Sequence, residues 1–551
     1  MKLEALFTTE VLLWRYVRTL ACLFLLQFFP VSLCSIYHTV VAQRVFNPLI
    51  ITYNLLSSFS PSKLIHWAIL ALSFVLLARV HIKCYTVSSW VPQNRLERCK
   101  RILSPTVLFR LALVMIACAL LANFYTSLAH PDFMILMLCR PGTNMCSKHM
   151  SVITFMSCYV GLCYAYKYFM QNGNLLTIAP AHPRKLQLIK AKMNMRSVKE
   201  ACTMYGASKF SFLLAICFYM AAGIVTSFFS EGSDWKEWLV IVDLPLMILT
   251  ATVTGLVAVT LALFSQIFRI FVTEPIQIPL ATGEDINSTE SDGDSWRLCH
   301  ALSSSGLLQL LAFWDLKLLA SSDPRVFARR SQVFAISQPG GHPRNWLGIM
   351  NPSLNLIRKF TERLRRQNCP EDMPPPPKPV DPTSAPTDVN KNEVTKPASP
   401  PLKERIVEML KGLKKYPFFG YFLSELPDAA YRSIFAEALP VIWAVQAFGD
   451  LIAASFKEDK YGVVQRNIPD ILMAFIHLQK VVDSPSRGTM GRRAGAGETL
   501  PVELQLRKAL RSSLRSALYT VTTTFGSTVL ELQVSAECQS KLQSYLDFKE
   551  G

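Results

Sequence analysis

Residues 106–128 read TVLFRLALVMIACALLANFYTSL, with Arg110 as the one charge, and as a helix that run is long enough to cross a hydrocarbon core about 30 Å thick. Working outward, comparable apolar runs occur near 20–41, 64–80, 150–169, 210–229 and 238–268. Six membrane-spanning helices are therefore expected within residues 1–272. Pro30 and Pro245 are expected to bend the first and sixth. Lys2, Arg15 and Arg18 precede the first run, which is too long for a signal-peptide core and lacks a small-residue cleavage site, so it reads as a retained span.

Lys and Arg in the intervening segments alternate as insertion requires. The N-terminal segment holds Lys2, Arg15 and Arg18, and the next loop Arg44 and Lys63. The third holds Lys83, Arg95, Arg98, Lys100 and Arg101, and the fourth only Arg140 and Lys148. The fifth holds Arg184, Lys185, Lys190, Lys192, Arg196, Lys199 and Lys209, and the last Lys236 beside Glu231, Asp234 and Glu237. Both termini are expected on the cytosolic side. On that topology Cys139 and Cys146, in CRPGTNMC, share a short lumenal loop where a disulfide can form; two free thiols are the alternative.

The formal net charge of +18 fits an anionic membrane surface, and no RNA-recognition, zinc-finger or helix-turn-helix signature points to nucleic acid. The 14 cysteines are scattered without metal-ligand or CxxC spacing, so no metal site and no cofactor is expected. Arg110 can snorkel and Asp243 sits beside Trp235 and Trp238, and Asn123 and His38 mark no evident ion path. A multi-span channel or transporter of an endomembrane is the alternative reading, discriminated by reconstituted flux that depends on Asp243 or Arg110. No nucleophile elbow, acid–base pair or phosphate loop supports an enzyme.

Residues 273–366 contain the polar stretch TGEDINSTESDGDS (282–295) and continue with a helical pattern from Leu302 to Leu319. In VFAISQPGGHPRNW, Pro339, Gly340, Gly341 and Pro343 force a compact turn that presents Trp346 to a neighbour or to a partner protein, which makes Pro339, Gly340, Gly341, His342 and Trp346 candidates for a partner surface. Residues 367–401 are a proline-rich connector. In the C-terminal domain, 402–551, Leu402, Ile406, Met409, Leu410 and Leu413 recur at helical spacing with Lys411 and Lys414 around them. That helix either lies on a membrane surface or packs on the domain that follows. From Ala430 to Phe548 helical patterns dominate, broken at Pro440, at Lys460-Tyr461-Gly462 and in SRGTMGRRAGAG, with Trp443, Lys457 and Tyr461 as candidates for a partner surface. The fold class expected is all-α: a six-helix membrane bundle followed by a mostly helical domain.

Six spans, SQPGGHPRNW (337–346), WAVQAFGDLIAASFKEDKYGVVQRNIPDIL (443–472), YTVTTTFG (519–526) and the closing SAECQSKLQSYLDFKE together resemble the transmembrane nucleoporins of the nuclear division cycle family. The resemblance covers most of the chain. It implies a non-enzymatic anchor in the pore membrane of the nuclear envelope, with the soluble domain on the pore side recruiting scaffold nucleoporins. It also implies a role in pore assembly and in nuclear transport. Implied partners are the bilayer, aladin and inner-ring nucleoporins, and a homo-oligomer within the pore ring is compatible with it. The cysteine pair, Cys139 and Cys146, also looks like the family's pattern. The connector at 367–401 looks much shorter than the serine- and proline-rich segment of vertebrate members.

Overall fold

A computed structural model describes residues 2–43, 45–129, 144–176, 244–280, 297–336, 341–368, 420–422, 424–426, 428–484 and 501–548, with isolated positions between 178 and 221. Helices dominate and no strand longer than an isolated bridge occurs among the described residues. The chain divides into two compact units, one of residues 1–88 and 102–275 and the other of residues 89–101 and 276–551.

The membrane unit contains α1 (Glu4–Val40), α2 (Pro48–Ser57) and α3 (Leu64–Cys84). After α4 (Arg95–Ile102), whose first seven residues belong to the other unit, come α5 (Pro105–Ala129), α6 (Asn144–Met170) and α7 (Leu244–Val272). α1, α3, α5 and most of α7 are long and apolar enough to cross a membrane. The run at 210–229 falls almost wholly outside the described residues.

One expectation is corrected. The helix that carries the first apolar run spans Glu4–Val40 and so begins well before residue 20, which places Arg15 inside it and not in a leading segment. The side chain of Pro245, and the residues that precede Leu244, lie outside the described residues. Pro30 does coincide with a break, at Gln27, as a proline ring clashing with the preceding turn predicts.

The membrane unit buries polar groups among its apolar core and turns large apolar side chains outward. Leu25, Phe28, Phe29, Leu72, Val75, Phe109 and Ile116 are exposed, whereas Gln27, Ser73, His81, Thr126 and Thr260 are buried. In lipid that arrangement is favourable, because hydrocarbon solvates the apolar face and interhelical hydrogen bonds satisfy the buried polar groups. The Tyr125 hydroxyl donates to Gln27 Oε1 at 2.7 Å and lies 2.6 Å from Thr260 Oγ1, joining α1, α5 and α7. His81 Nδ1 donates to the Leu77 carbonyl at 2.8 Å, which leaves Nε2 to accept from the Tyr164 hydroxyl at 2.6 Å and joins α3 to α6.

The second unit has an apolar core and a charged exterior. α8 (Leu298–Ser303) and α9 (Gly306–Ala320) replace the single helix expected from 302 to 319, the chain breaking at Ser304–Ser305 before Gly306, whose φ is +67°. α10 (Phe327–Ser331) and α11 (Arg344–Asn368) follow. Then come α12 (Ala429–Ala436), α13 (Ala438–Glu458), α14 (Ile468–Asp483), α15 (Val502–Phe525) and α16 (Ala536–Leu546). Pro440 sits in the first turn of α13, so the break falls at Glu437. α13 and α15 run parallel, since Gln446 bonds Ser513 at 2.8 Å and Phe456 meets Phe525 at 5.4 Å. Between those pairs Gly449 lets the backbones close, because a Cβ there would lie 2.8 Å from Ala517 Cβ.

Candidate membrane and partner surfaces

One end of the membrane unit is closed by arginines. Arg15, buried in α1, donates from Nη1 to the Val272 carbonyl at 2.6 Å and from Nη2 to the Glu274 carbonyl at 2.7 Å. The Val272 carbonyl ends α7 and the Glu274 carbonyl lies two residues beyond it, so the guanidinium supplies donors where the helix does not. Arg269 donates to the Gly173 carbonyl after α6, and Asn174 Nδ2 donates to the Cys84 carbonyl at the end of α3 at 2.6 Å. Residues 15, 84–86, 173–176 and 269–274 thus share one end. At the other, His38 Nδ1 lies 3.1 Å from the Ala129 carbonyl.

The helical unit includes a segment that belongs, by sequence, to the loop between two spans. Ser89 Oγ donates to Glu503 Oε1 at 2.7 Å, and Arg432 Nη2 to Glu503 Oε2 at 3.1 Å, so one buried carboxylate ties the loop, α12 and α15 together. Leu426 N donates to the Gln93 carbonyl at 2.8 Å, and the Arg95 guanidinium lies 3.8 Å above the Tyr421 ring. Sequence reasoning used this loop only for its charge. The missed signal was Trp90, Val91 and Pro92, an apolar cluster with no reason to occupy an unstructured loop.

The other candidates separate by burial. Trp346 is fully buried; its Nε1 donates to Asn467 Oδ1 at 3.1 Å and its ring meets Phe448 edge-on at 6.1 Å. Trp443 is buried against Trp314, the rings 5.9 Å apart and nearly parallel. Both tryptophans therefore face neighbours within the unit, and their large apolar areas build its core. Gly341 has φ +66°, which suits the expected turn, and His342 accepts from Arg344 N at 2.9 Å. Lys457 and Tyr461 are exposed, with Tyr461 N donating to Asp459 Oδ1 at 3.2 Å in a turn completed by Gly462 at φ +65°. The side chains of Cys139, Cys146, Pro339, Gly340, Leu402, Ile406, Met409, Leu410, Lys411, Leu413 and Lys414 lie outside the described residues.

A cleft of about 710 Å³ runs between α11, α14 and the start of α16, lined by Arg358, Arg365, His477, Lys480 and Glu537 among others. Lys480 Nζ donates to Glu537 Oε1 at 2.6 Å and holds that carboxyl below its ordinary range. The lining mixes both signs of charge, as a contact for polar protein surface would. Among the described residues no three His, Cys, Asp or Glu side chains gather where they could hold a metal ion.

The chain matches the family model described as "Nucleoporin protein Ndc1-Nup" over residues 10–409 and 387–543. It is 25% identical over 680 residues to Nucleoporin NDC1 of Mus musculus, covering 98% of this chain and 97% of that one. To Nucleoporin NDC1 of Homo sapiens it is 24% identical over 632 residues, covering 89% and 90%, and to Nucleoporin ndc-1 of Caenorhabditis elegans 22% over 367, covering 62% and 57%. The 680-residue alignment is longer than this chain's 551 residues, so the mouse relative carries insertions absent here. The two matched stretches overlap at 387–409, where the proline-rich connector meets the C-terminal domain.

Proposed function

The chain belongs to the Nucleoporin protein Ndc1-Nup family, and from that premise we propose that it is a non-enzymatic anchor that fixes scaffold nucleoporins to the pore membrane. The observation that carries this reading is the placement of residues 89–101 in the helical unit. Peptide connections at 88–89, 101–102 and 275–276 join that unit to the spans, so a pull on the unit is shared by three chain segments. A domain whose task is to hold others against a membrane benefits from such attachment. Aladin and inner-ring nucleoporins are the partners we propose, with pore assembly and nuclear transport as the processes served.

The connectivity also supports the proposed orientation. Residues 89–101 fold with described residues beyond 276, which supports placing both on one side of the bilayer. The loop between α3 and α5 is rich in Lys and Arg, which supports a cytosolic side. The contact of Arg15 with the exit of α7 supports the same side for the N-terminus.

Many copies held around a ring need only modest affinity per contact, since each attached partner is retained by avidity. The test is imaging of a C-terminally tagged chain after selective opening of the plasma membrane, with proximity labelling from the tag. A punctate nuclear rim, a tag accessible with the envelope lumen closed, and labelled scaffold nucleoporins are expected. A reticular or plasma-membrane signal without nucleoporin neighbours overturns the anchor reading.

A further inference from the structure

The connection between α1 and α3 has no charged residue from Val45 to Ser62, and within it α2 buries no side chain. Phe46, Leu49, Tyr53 and Leu56 are 87%, 76%, 71% and 72% exposed, and steps of three and four residues align them on one side. Phe59 extends that side by stacking on Phe28 of α1 at 5.7 Å and on Trp67 of α3 at 5.3 Å. Asn54 and Ser58 face the other way, while the exposed Thr52 hydroxyl is satisfied by the Leu49 carbonyl at 2.9 Å. Asn54 Nδ2 donates to Thr39 Oγ1 at 2.9 Å, and Ser58 Oγ lies 3.4 Å from Ser35 Oγ. A water-facing helix shows the opposite arrangement.

The backbone at both ends of α2 is also closed. Pro48 has no N–H to satisfy, Leu49 N donates to Asn47 Oδ1 at 3.0 Å, and Ile50 N and Ile51 N donate to the Asn47 carbonyl at 3.1 Å. At the far end Ser58 N, Phe59 N and Ser60 N serve the carbonyls of Leu55, Leu56 and Ser57, and Trp67 Nε1 donates to the Ser58 carbonyl at 3.0 Å. Water would satisfy such groups without help, whereas in hydrocarbon each open one is costly. Ten helical residues rise about 15 Å, half of a core of about 30 Å, so α2 can enter a bilayer and cannot cross it.

We propose that residues 46–59 insert into the leaflet at the His38–Ala129 end of the membrane unit, a membrane contact additional to the spans whose ligand is phospholipid acyl chain. The continuous aromatic face from α1 through Phe59 to α3, together with the absence of charge, selects hydrocarbon over a polar protein partner. The test uses the full chain in phosphatidylcholine nanodiscs containing a diazirine-acyl phosphatidylcholine, photolysed and mapped by mass spectrometry, with hydroxyl-radical oxidation from the water side in parallel. Carbene adducts on Phe46, Leu49, Tyr53 and Leu56 at a density comparable to that on Leu64–Cys84, with little oxidation, are the expected result. Oxidation without adducts would put the helix in water and overturn the proposal. Protection from both reagents would put it against protein, such as a second copy, and overturn it equally. The wild-type map decides alone. Leu49→Glu with Leu56→Glu adds a control in which adducts on 46–59 are lost and those on Leu64–Cys84 stay.

Discussion

Ser89→Ala tests whether the loop between two spans is a working part of the helical unit. Trypsin can cut at Arg95, Arg98, Lys100 and Arg101, but cleavage needs an extended backbone, so the loop must first leave its neighbours. Contacts that hold it include the Ser89 hydroxyl on Glu503, the Gln93 carbonyl on Leu426 N, and the Arg95 guanidinium over Tyr421. A hydrogen bond to a charged acceptor contributes about 1.5–3 kcal/mol and a neutral one about 1 kcal/mol, while an exposed cation–π contact adds about 0.5–1 kcal/mol. The serine bond is the largest of the three. Glu503 keeps Arg432 after the substitution, which argues for the low end, about 1.5 kcal/mol or roughly tenfold in the opening equilibrium. Cleavage tracks that equilibrium while reclosing is faster than cutting. Limited trypsinolysis of the solubilised full chain should therefore cut within 95–101 about tenfold faster in Ser89→Ala, with the other loops unaffected. An unchanged rate would refute the reasoning, because it would mean the loop opens without breaking the Glu503 contact.

Other substitutions separate strong contacts from weak ones. Arg330 meets Glu458 at 2.9 and 2.5 Å with both side chains mostly buried, so Arg330→Ala should cost about 3–5 kcal/mol in thermal unfolding followed by near-UV circular dichroism. Arg363 and Glu437 also meet closely, at 2.7 Å, but in solvent, and Arg363→Ala should change stability by less than about 1 kcal/mol. Gly449→Val forces side-chain atoms into Ala517 and should destabilise the unit by about 1–3 kcal/mol. Arg15→Leu leaves the Val272 and Glu274 carbonyls without their donor, at about 1–3 kcal/mol each, and should lower the midpoint of denaturant unfolding in detergent.

Hydropathy marked α1, α3, α5, α6 and α7 because the bilayer sets the length of a span, and charge alternation gives an expected orientation because insertion acts on Lys and Arg near span ends. Neither signal reports what a loop does after insertion. Ser89 and Gln93 look like ordinary loop residues until Glu503 and Leu426, hundreds of positions later, are placed beside them. Trp346 and Trp443 were legible as large apolar groups near turns, but their direction depends on Asn467, Phe448 and Trp314, which no local pattern brings together. α2 was hidden for a different reason. Ten apolar residues fall below the length that marks a span, and the polar atoms that close its ends come from Asn47 and Trp67.

α13 shows why apolar length alone does not assign a helix to the membrane. Ala438–Glu458 satisfies the same length and hydropathy criteria as α1, α3 and α5. Burial does not separate it either, since 61% of its most apolar window is buried against 67% for α7, the most enclosed span. The difference lies in the next layer. α7 packs on α1, α5 and α6, which carry Leu25, Phe109 and Leu162 outward and so need hydrocarbon around them. α13 packs on α9, α11 and α15; α11 turns Arg358, Lys359, Arg365 and Arg366 outward, and Arg511 of α15 pairs with Asp483 at 2.6 Å at the surface. A helix wrapped by charged-faced helices can be as apolar as a span and still belong in water, because its neighbours and not the solvent meet its surface. The helical unit therefore keeps an apolar axis that its own charged-faced helices shield.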